Sequence, residues 1–172
     1  KQPLMLMGYV NPLLAFGVER FVTEAAAAGV DGFIIPDLPP EEAGVIEAAC
    51  RAHERALVYL LAPTSPAERV ALLAQRTTGF LYLVSLAGVT GARSALAADL
   101  ADFVQRVRAV ARTPLAVGFG ISTPAQARAV GEIVDGVIVG SAVIDAIDGG
   151  ADPAQAAGDF VRELREGLEG SM

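Results

Sequence analysis

The sequence predicts an α/β fold of the (β/α)8 TIM-barrel class, and three observations support this prediction. Short apolar segments alternate with helical segments along the 172 residues, which gives six βα units. The apolar segments are continuously hydrophobic, as in a parallel sheet that is covered on both faces. The last two of them end in glycine and small polar residues just before a helix begins, as the final strands of such a barrel do.

Each predicted strand is bounded by glycine, proline or polar turn residues. The first strand is predicted to end at an Asn-Pro turn formed by Asn11 and Pro12. Pro36 is predicted to mark the end of the second strand, because proline has no amide hydrogen to donate. The six predicted strands are 3–10, 32–37, 56–62, 79–85, 114–119 and 136–139.

The helices between the strands carry start and stop signals. Gly29 is predicted to end the first helix in a left-handed conformation. Pro40 is predicted to begin the second, with Glu41 and Glu42 near the positive end of the helix dipole. Capping signatures are found at 65–68 (Ser-Pro-Ala-Glu), 123–126 (Thr-Pro-Ala-Gln) and 152–155 (Asp-Pro-Ala-Gln).

The position of the glycine-rich strand ends predicts an incomplete barrel. They follow the fifth and sixth strands of this chain, whereas a complete barrel has its phosphate-binding ends after strands seven and eight. We therefore expect residues 1–172 to form a single barrel domain that lacks the first two βα units, with sheet edges left uncovered.

Composition limits the possible partners and compartments. The net charge of −7 and the lack of a basic cluster argue against nucleic acid. Cys50 is the only cysteine, so no disulfide framework or cysteine metal site is expected, which fits a reducing cytoplasm. No apolar run is long enough to span a bilayer and no signal peptide is visible. The sequence predicts a cytoplasmic protein with no membrane and no metal site.

The glycine-rich ends predict a phosphate site. Glycine lets a ligand approach the backbone closely, and a helix N-terminus offers unpaired N–H groups and partial positive charge. The alternative is that these glycines only permit tight turns between strand and helix. The candidate residues are Gly118, Phe119, Gly120, Gly140 and Ser141.

Five motifs in order resemble the tryptophan synthase alpha subunit family. They are 7–12 (Met-Gly-Tyr-Val-Asn-Pro), 36–42 (Pro-Asp-Leu-Pro-Pro-Glu-Glu), 88–92 (Gly-Val-Thr-Gly-Ala), 118–122 (Gly-Phe-Gly-Ile-Ser) and 139–142 (Val-Gly-Ser-Ala). The resemblance implies retro-aldol cleavage of indole-3-glycerol phosphate to indole and glyceraldehyde 3-phosphate. It also implies an α2β2 complex whose beta subunit contains pyridoxal phosphate, with no cofactor in this chain.

The resemblance assigns roles to individual residues. Gly88 and Thr90 match the family's mobile lid, Gly91 its phosphate side, and Tyr82 a residue that supports the acid and base. The family's catalytic glutamate and aspartate fall in the two units expected to precede this chain, so the chain alone is expected to be inactive. The beta-subunit face is assigned to Asn11, Asp37 and Pro39.

Alternatives remain open for several of these assignments. The lid could be an ordinary loop, Asp37 a turn residue or helix cap, and Tyr82 or Tyr9 a core aromatic with a satisfied hydroxyl. His53, the only histidine, is expected to be structural. The whole protein could be another phosphate-binding barrel enzyme, or a non-catalytic regulatory partner of a beta subunit.

Overall fold

The computed structural model describes residues 2–85, 93–118 and 120–169, and within them it is a parallel α/β partial barrel. The strands are β1 (Met5–Met7), β2 (Gly32–Ile34), β3 (Ala56–Val58), β4 (Leu60–Leu61), β5 (Leu81–Val84), β6 (Leu115–Gly118) and β7 (Gly136–Ile138). The helices are α1 (Val10–Phe16), α2 (Val18–Ala27), α3 (Gly44–Ala52), α4 (Ala67–Arg76), α5 (Arg93–Arg108), α6 (Pro124–Gly131), α7 (Ser141–Gly149) and α8 (Pro153–Glu169).

The strands follow one another in chain order, and every pair is parallel. The hydrogen-bonded orders are β1-β2-β3 and β4-β5-β6-β7, and the single residue Tyr59 separates β3 from β4. The predicted third strand is therefore one strand interrupted at Tyr59, and the six predicted βα units are all present. The α/β barrel prediction is confirmed.

Side chains of alternate residues face opposite sides of the sheet. One set packs with the helices in the main core, for example Phe33, Leu57 and Leu83. The other set forms a second cluster made only of strand and strand-end residues, centred on Ile34, Val58 and Tyr82. This second cluster lies on the barrel's interior side, which is where a (β/α) barrel builds its site.

The barrel is open in the described residues, as predicted. β1 pairs only with β2, and β7 pairs only with β6. Large apolar side chains around β1 and α1 are exposed, and they include Leu4, Leu6, Met7, Leu14 and Phe16. A cavity of about 470 Å³ lies beside them, between β1, α1 and Phe21 of α2.

Polar side chains at the strand starts join neighbouring strands, which the sequence analysis did not anticipate. Each accepts a backbone N–H from the start of the preceding strand. The pairs are Leu4 N to Asp31 Oδ2 (2.8 Å), Leu57 N to Thr78 Oγ1 (2.8 Å) and Leu115 N to Asp135 Oδ2 (2.8 Å). The Leu115 N–H bond, helped by Arg108, holds the pKa of Asp135 below its usual range.

One predicted strand end and two predicted helix starts need correction. Asn11 and Pro12 lie inside α1 rather than in a turn, because proline is tolerated in the first turn of a helix. The second long helix, α3, begins at Gly44 and not at Pro40, since i→i+3 bonds form a turn over 39–43 that includes Glu41 and Glu42. Ser65 is not part of a capping box, because its hydroxyl accepts the Ala62 N–H at 3.1 Å.

The other two capping predictions are confirmed. Thr123 and Gln126 form a complete capping box at α6. Asp152 Oδ1 accepts the N–H groups of Ala154 and Gln155 at the start of α8. The residues of each signature are close in sequence, and they form the cap hydrogen bonds that the sequence predicts.

Glu54 adopts the left-handed conformation that a C-terminal glycine normally takes. Its φ is 54°, and the Arg55 N–H bonds to the Cys50 carbonyl, as the Val30 N–H bonds to Ala25 after Gly29. We expect Glu54→Gly to stabilise the chain by about 0.5–1 kcal/mol, because glycine has no Cβ to strain this conformation. Urea unfolding measures the gain. Glu54→Ala retains the Cβ, so an equal gain in that variant would contradict the explanation.

Candidate functional site

The best-placed candidate for a phosphate site is the N-terminus of α7. This helix begins at Ser141, directly after β7, with Gly140 in the N-cap position. No side chain caps it among the described residues, and Gly140 and Ser141 are exposed. The first N–H groups of an α-helix have no intrahelical partner, so α7 can donate to an anion at the carboxyl ends of the strands.

The N-terminus of α6 is different, because side chains there accept three of its amides. Gln126 Oε1 accepts the N–H groups of Ser122 and Thr123, at 2.9 and 3.2 Å. Thr123 Oγ1 in turn accepts the Gln126 N–H at 3.2 Å. The capping box therefore engages the Ser122, Thr123 and Gln126 amides, whereas no side chain caps α7 among the described residues. Gly120 lies before α6 with a φ of 75°, which favours glycine.

Gly118 and Tyr82 meet on the interior side of the barrel. They lie on the paired strands β6 and β5, and Tyr82 is 4% exposed. A Cβ on residue 118 would lie 2.0 Å from the Tyr82 hydroxyl oxygen. Glycine is therefore required at 118 so that the Tyr82 ring can cross above the strand. Burial raises the pKa of Tyr82, so its hydroxyl remains protonated near neutrality.

The rest of the interior cluster is apolar. Five partly buried hydrophobic side chains pack around Ile34, Val58 and Tyr82; they are Met5, Leu60, Phe80, Val84 and Ile138. Among the described residues, this cluster can exclude water and position a ring or a hydroxyl.

The three residues assigned to a partner face lie on loops at the carboxyl ends of β1 and β2. Asn11 is exposed in the first turn of α1, and Asp37 is exposed in the loop after β2, with the half-buried Pro39 two residues later. Asp37 Oδ1 accepts the N–H of Val10 at 2.9 Å, so Asp37 caps α1 from another loop. Tyr9 is 68% exposed and is not a core aromatic.

Several predicted residues lie outside the described part of the chain. These are Gly88, Thr90 and Gly91 of the predicted lid, and Phe119 beside the phosphate site. Their assignments stay predictions.

The chemistry available elsewhere is limited. In the described part of the chain, no group of three or more His, Cys, Asp or Glu side chains could hold a metal ion. His53 follows the last residue of α3, and its Nε2 atom lies 3.1 Å from Thr23 Oγ1 in α2. This contact joins two outer helices. Burial raises the pKa of the Cys50 thiol to about 11. No helix among the described residues has the length and apolar character that a membrane crossing needs.

These features define the class of protein. The chain has the parallel strands and the outer helices of a (β/α) barrel, and a helix begins just beyond its last strand. Proteins of this class have their sites at the carboxyl ends of the strands. The chain belongs to the tryptophan synthase alpha chain family, whose family model matches residues 1–170.

Individual relatives agree with this assignment. The tryptophan synthase alpha chain of Dehalococcoides mccartyi is 50% identical over 168 residues, which cover 97% of this chain and 65% of the relative. The solved tryptophan synthase subunit alpha from Campylobacter jejuni superposes with a TM-score of 0.88 at 32% identity, covering 95% of this chain and 65% of that one. A solved Mycobacterium tuberculosis tryptophan synthase gives 0.85 at 40% identity, covering 96% and 62%. The chain thus spans about 65% of the length of the curated relative.

Proposed function

We propose that this chain is the substrate-phosphate side of an alpha subunit of tryptophan synthase. The whole protein would be a lyase that cleaves indole-3-glycerol phosphate to indole and glyceraldehyde 3-phosphate in tryptophan biosynthesis. Membership of the family supports the reaction class. The single observation that carries the binding role is the uncapped N-terminus of α7 at Gly140 and Ser141, next to the strand β7.

The proposed reaction needs two proton transfers. C3 of the indole gains a proton while the adjacent glycerol hydroxyl loses one, and the C–C bond between them breaks. The interior cluster supplies an apolar surface for the indole ring and the protonated Tyr82 hydroxyl as a donor or acceptor. On the resemblance to the family, a glutamate and an aspartate from elsewhere in the whole protein would perform the transfers, and this chain alone would not turn over substrate.

The remaining site residues complete the proposal. Gly91 and Gly120 would add backbone donors to the phosphate, Phe119 would contact the indole ring, and Gly88 and Thr90 would belong to the lid. Closure of such a lid excludes water and orders the reacting groups.

The proposed partner is a tryptophan synthase beta subunit that contains pyridoxal phosphate, and this chain itself would hold no cofactor. The M. tuberculosis structure, described as tryptophan synthase, supports a partner of this kind. The exposed loops with Asn11, Asp37 and Pro39 are the proposed docking face.

Ser141→Asp tests the phosphate site. We expect indole-3-glycerol phosphate to bind at least about tenfold more weakly, because a carboxylate then lies beside the phosphate. Asp is a favourable residue in the first turn of a helix, so α7 should remain folded. Calorimetric titration measures the affinity.

A matched control separates the effect of a charge at the start of α7 from the effect of the net charge of the chain. Gln75→Glu also makes the chain one unit more negative, but on an exposed position of α4. We expect wild-type affinity in that variant. Equal weakening in both variants, or no weakening in Ser141→Asp, would contradict a phosphate site at α7.

A further inference from the structure

Helix α8 lies behind both helices that begin beside the proposed phosphate site. It packs against α6 and against α7. A cavity of about 250 Å³ is lined in part by Leu164 of α8, Ala127 of α6 and Val143 of α7. Val143 lies in the first turn of α7, two residues after Ser141. The helix start to which the phosphate is assigned therefore has α8 behind it.

The contact between α8 and α6 is made through a glycine. A Cβ on Gly167 would lie 2.9 Å from the carbonyl oxygen of Pro124 and 3.0 Å from the Cβ of Pro124. Pro124 is the first residue of α6 and follows the capping residue Thr123. Because residue 167 has no side chain, α8 can lie directly against the backbone of the first turn of α6.

This contact continues along one face of α6. Pro124, Ala127 and Gly131 follow one another at helical spacing, and Ala127 is fully buried. Leu168 of α8 lies over Gly131, where a Cβ would come within 2.5 Å of the Leu168 Cδ2 atom. Two adjacent residues of α8 thus meet the first and the last residue of α6, so α8 holds α6 at both ends.

Helix α8 itself has little freedom to move away. Leu164, one turn before Gly167, is 6% exposed and packs in the main core. At the other end of α8, a Cβ on Gly150 would lie 2.5 Å from the Ala156 Cβ, so the connection from α7 is also closely packed. A side chain added at 167 is therefore expected to displace the start of α6 and not the whole of α8.

We propose that Gly167 is a positioning residue for the phosphate site, because it sets where the start of α6 lies relative to the start of α7. This inference rests on the proposed function, which assigns a substrate phosphate to that place. Gly167 acts through Pro124. The position of Pro124 sets that of residues 120–123, where Gly120 is the proposed backbone donor that supplements α7.

Gly167→Ala tests this inference in the full chain. The added methyl group displaces Pro124, so NMR should show chemical-shift changes at the capping-box amides of α6, which are those of Ser122, Thr123 and Gln126. We expect indole-3-glycerol phosphate to bind at least about threefold more weakly in calorimetric titration, because a displaced donor contributes less to binding. Urea unfolding measures the stability of the variant separately.

Two glycine variants serve as controls. Gly158→Ala lies on an exposed position of α8, where an added Cβ meets no described atom within 4 Å. We expect it to stabilise the helix and to leave the affinity unchanged. In Gly131→Ala the new Cβ meets the flexible end of Leu168, far from the start of α6. Its stability should fall while its affinity stays within about twofold of the wild type.

Four results would overturn the inference. Unchanged capping-box amides in Gly167→Ala would show that Gly167 does not place α6. Displaced amides with wild-type affinity would show that the start of α6 takes no part in binding. Equal weakening in Gly131→Ala and Gly167→Ala would show an effect of stability alone. These three results leave the assignment of Ser141 intact, whereas a wild-type chain that binds no indole-3-glycerol phosphate would refute the phosphate site and this inference together.

Discussion

Gly118→Ala is expected to destabilise the chain by about 1–3 kcal/mol and to displace Tyr82. The new Cβ would lie 2.0 Å from the Tyr82 hydroxyl oxygen and 2.6 Å from its Cζ, and neither distance is possible without movement. The ring has little room to move, because Tyr82 is 4% exposed and packed against Ile34 and Val58. Chemical denaturation measures the loss, and the near-ultraviolet circular dichroism of the three tyrosines, compared with that of Tyr82→Leu, reports the displacement of Tyr82.

A double-mutant cycle with Tyr82→Leu assigns the effect to this contact. If the clash is the cause, Gly118→Ala should cost at least about 1 kcal/mol less in the Tyr82→Leu background than in the wild type. Gly136→Ala is the control on the neighbouring strand, where the nearest atom to the new Cβ is the Ala116 Cβ at an ordinary 3.5 Å. Equal costs at 118 and 136, or strict additivity with Tyr82→Leu, would contradict the account.

Arg76→Met is expected to destabilise the chain by about 1–3 kcal/mol, because it leaves a largely buried carboxylate with one partner fewer. Arg76 Nε donates to Glu47 Oε1 at 2.8 Å, and the Tyr59 hydroxyl donates to the same oxygen at 2.7 Å. The two charged side chains are only 27% and 16% exposed. These bonds connect α3, α4 and the strand interruption at Tyr59. Urea unfolding at neutral pH measures the loss.

The same network predicts how stability depends on pH. The hydrogen bond from Arg76 holds the pKa of Glu47 below its ordinary value, against the opposing effect of burial. A carboxyl whose pKa is lowered on folding contributes its full stabilisation above its unfolded pKa, and this is lost as the pH falls through the folded value. Glu47→Gln should therefore flatten the fall in stability between about pH 5 and pH 3.

Glu163→Gln, at an exposed position of α8, is the control for that pH series. It should leave the slope close to that of the wild type. A Glu47→Gln profile parallel to the wild-type profile would show that Glu47 does not contribute to acid unfolding.

Local signals made much of the fold predictable. The continuous apolar strands predicted a parallel sheet, and the capping signatures at Thr123 and Asp152 gave the starts of α6 and α8. In each case the residues that interact are close in sequence, so the pattern itself carries the geometry.

Interactions between distant segments were not predictable in the same way. Asp31 and Asp37 each accept an N–H from a residue 27 positions earlier, and a polar side chain after a strand does not reveal which amide it will meet. Ser65 was misread for a related reason: its hydroxyl could serve α4 or the preceding turn, and it serves the turn. The engagement of the Ser122 and Thr123 amides at α6 likewise depends on where Gln126 points.

The most direct test of the proposed phosphate site is an NMR titration of this chain with indole-3-glycerol phosphate, followed at the backbone amides. We expect saturable chemical-shift changes that are largest at Ser141 and Ala142, at the start of α7. Inorganic phosphate should reverse these changes by competition. Shifts that are largest at the capping box of α6, or amides of α7 that do not respond at saturation, would contradict the assignment of α7 as the phosphate-binding helix.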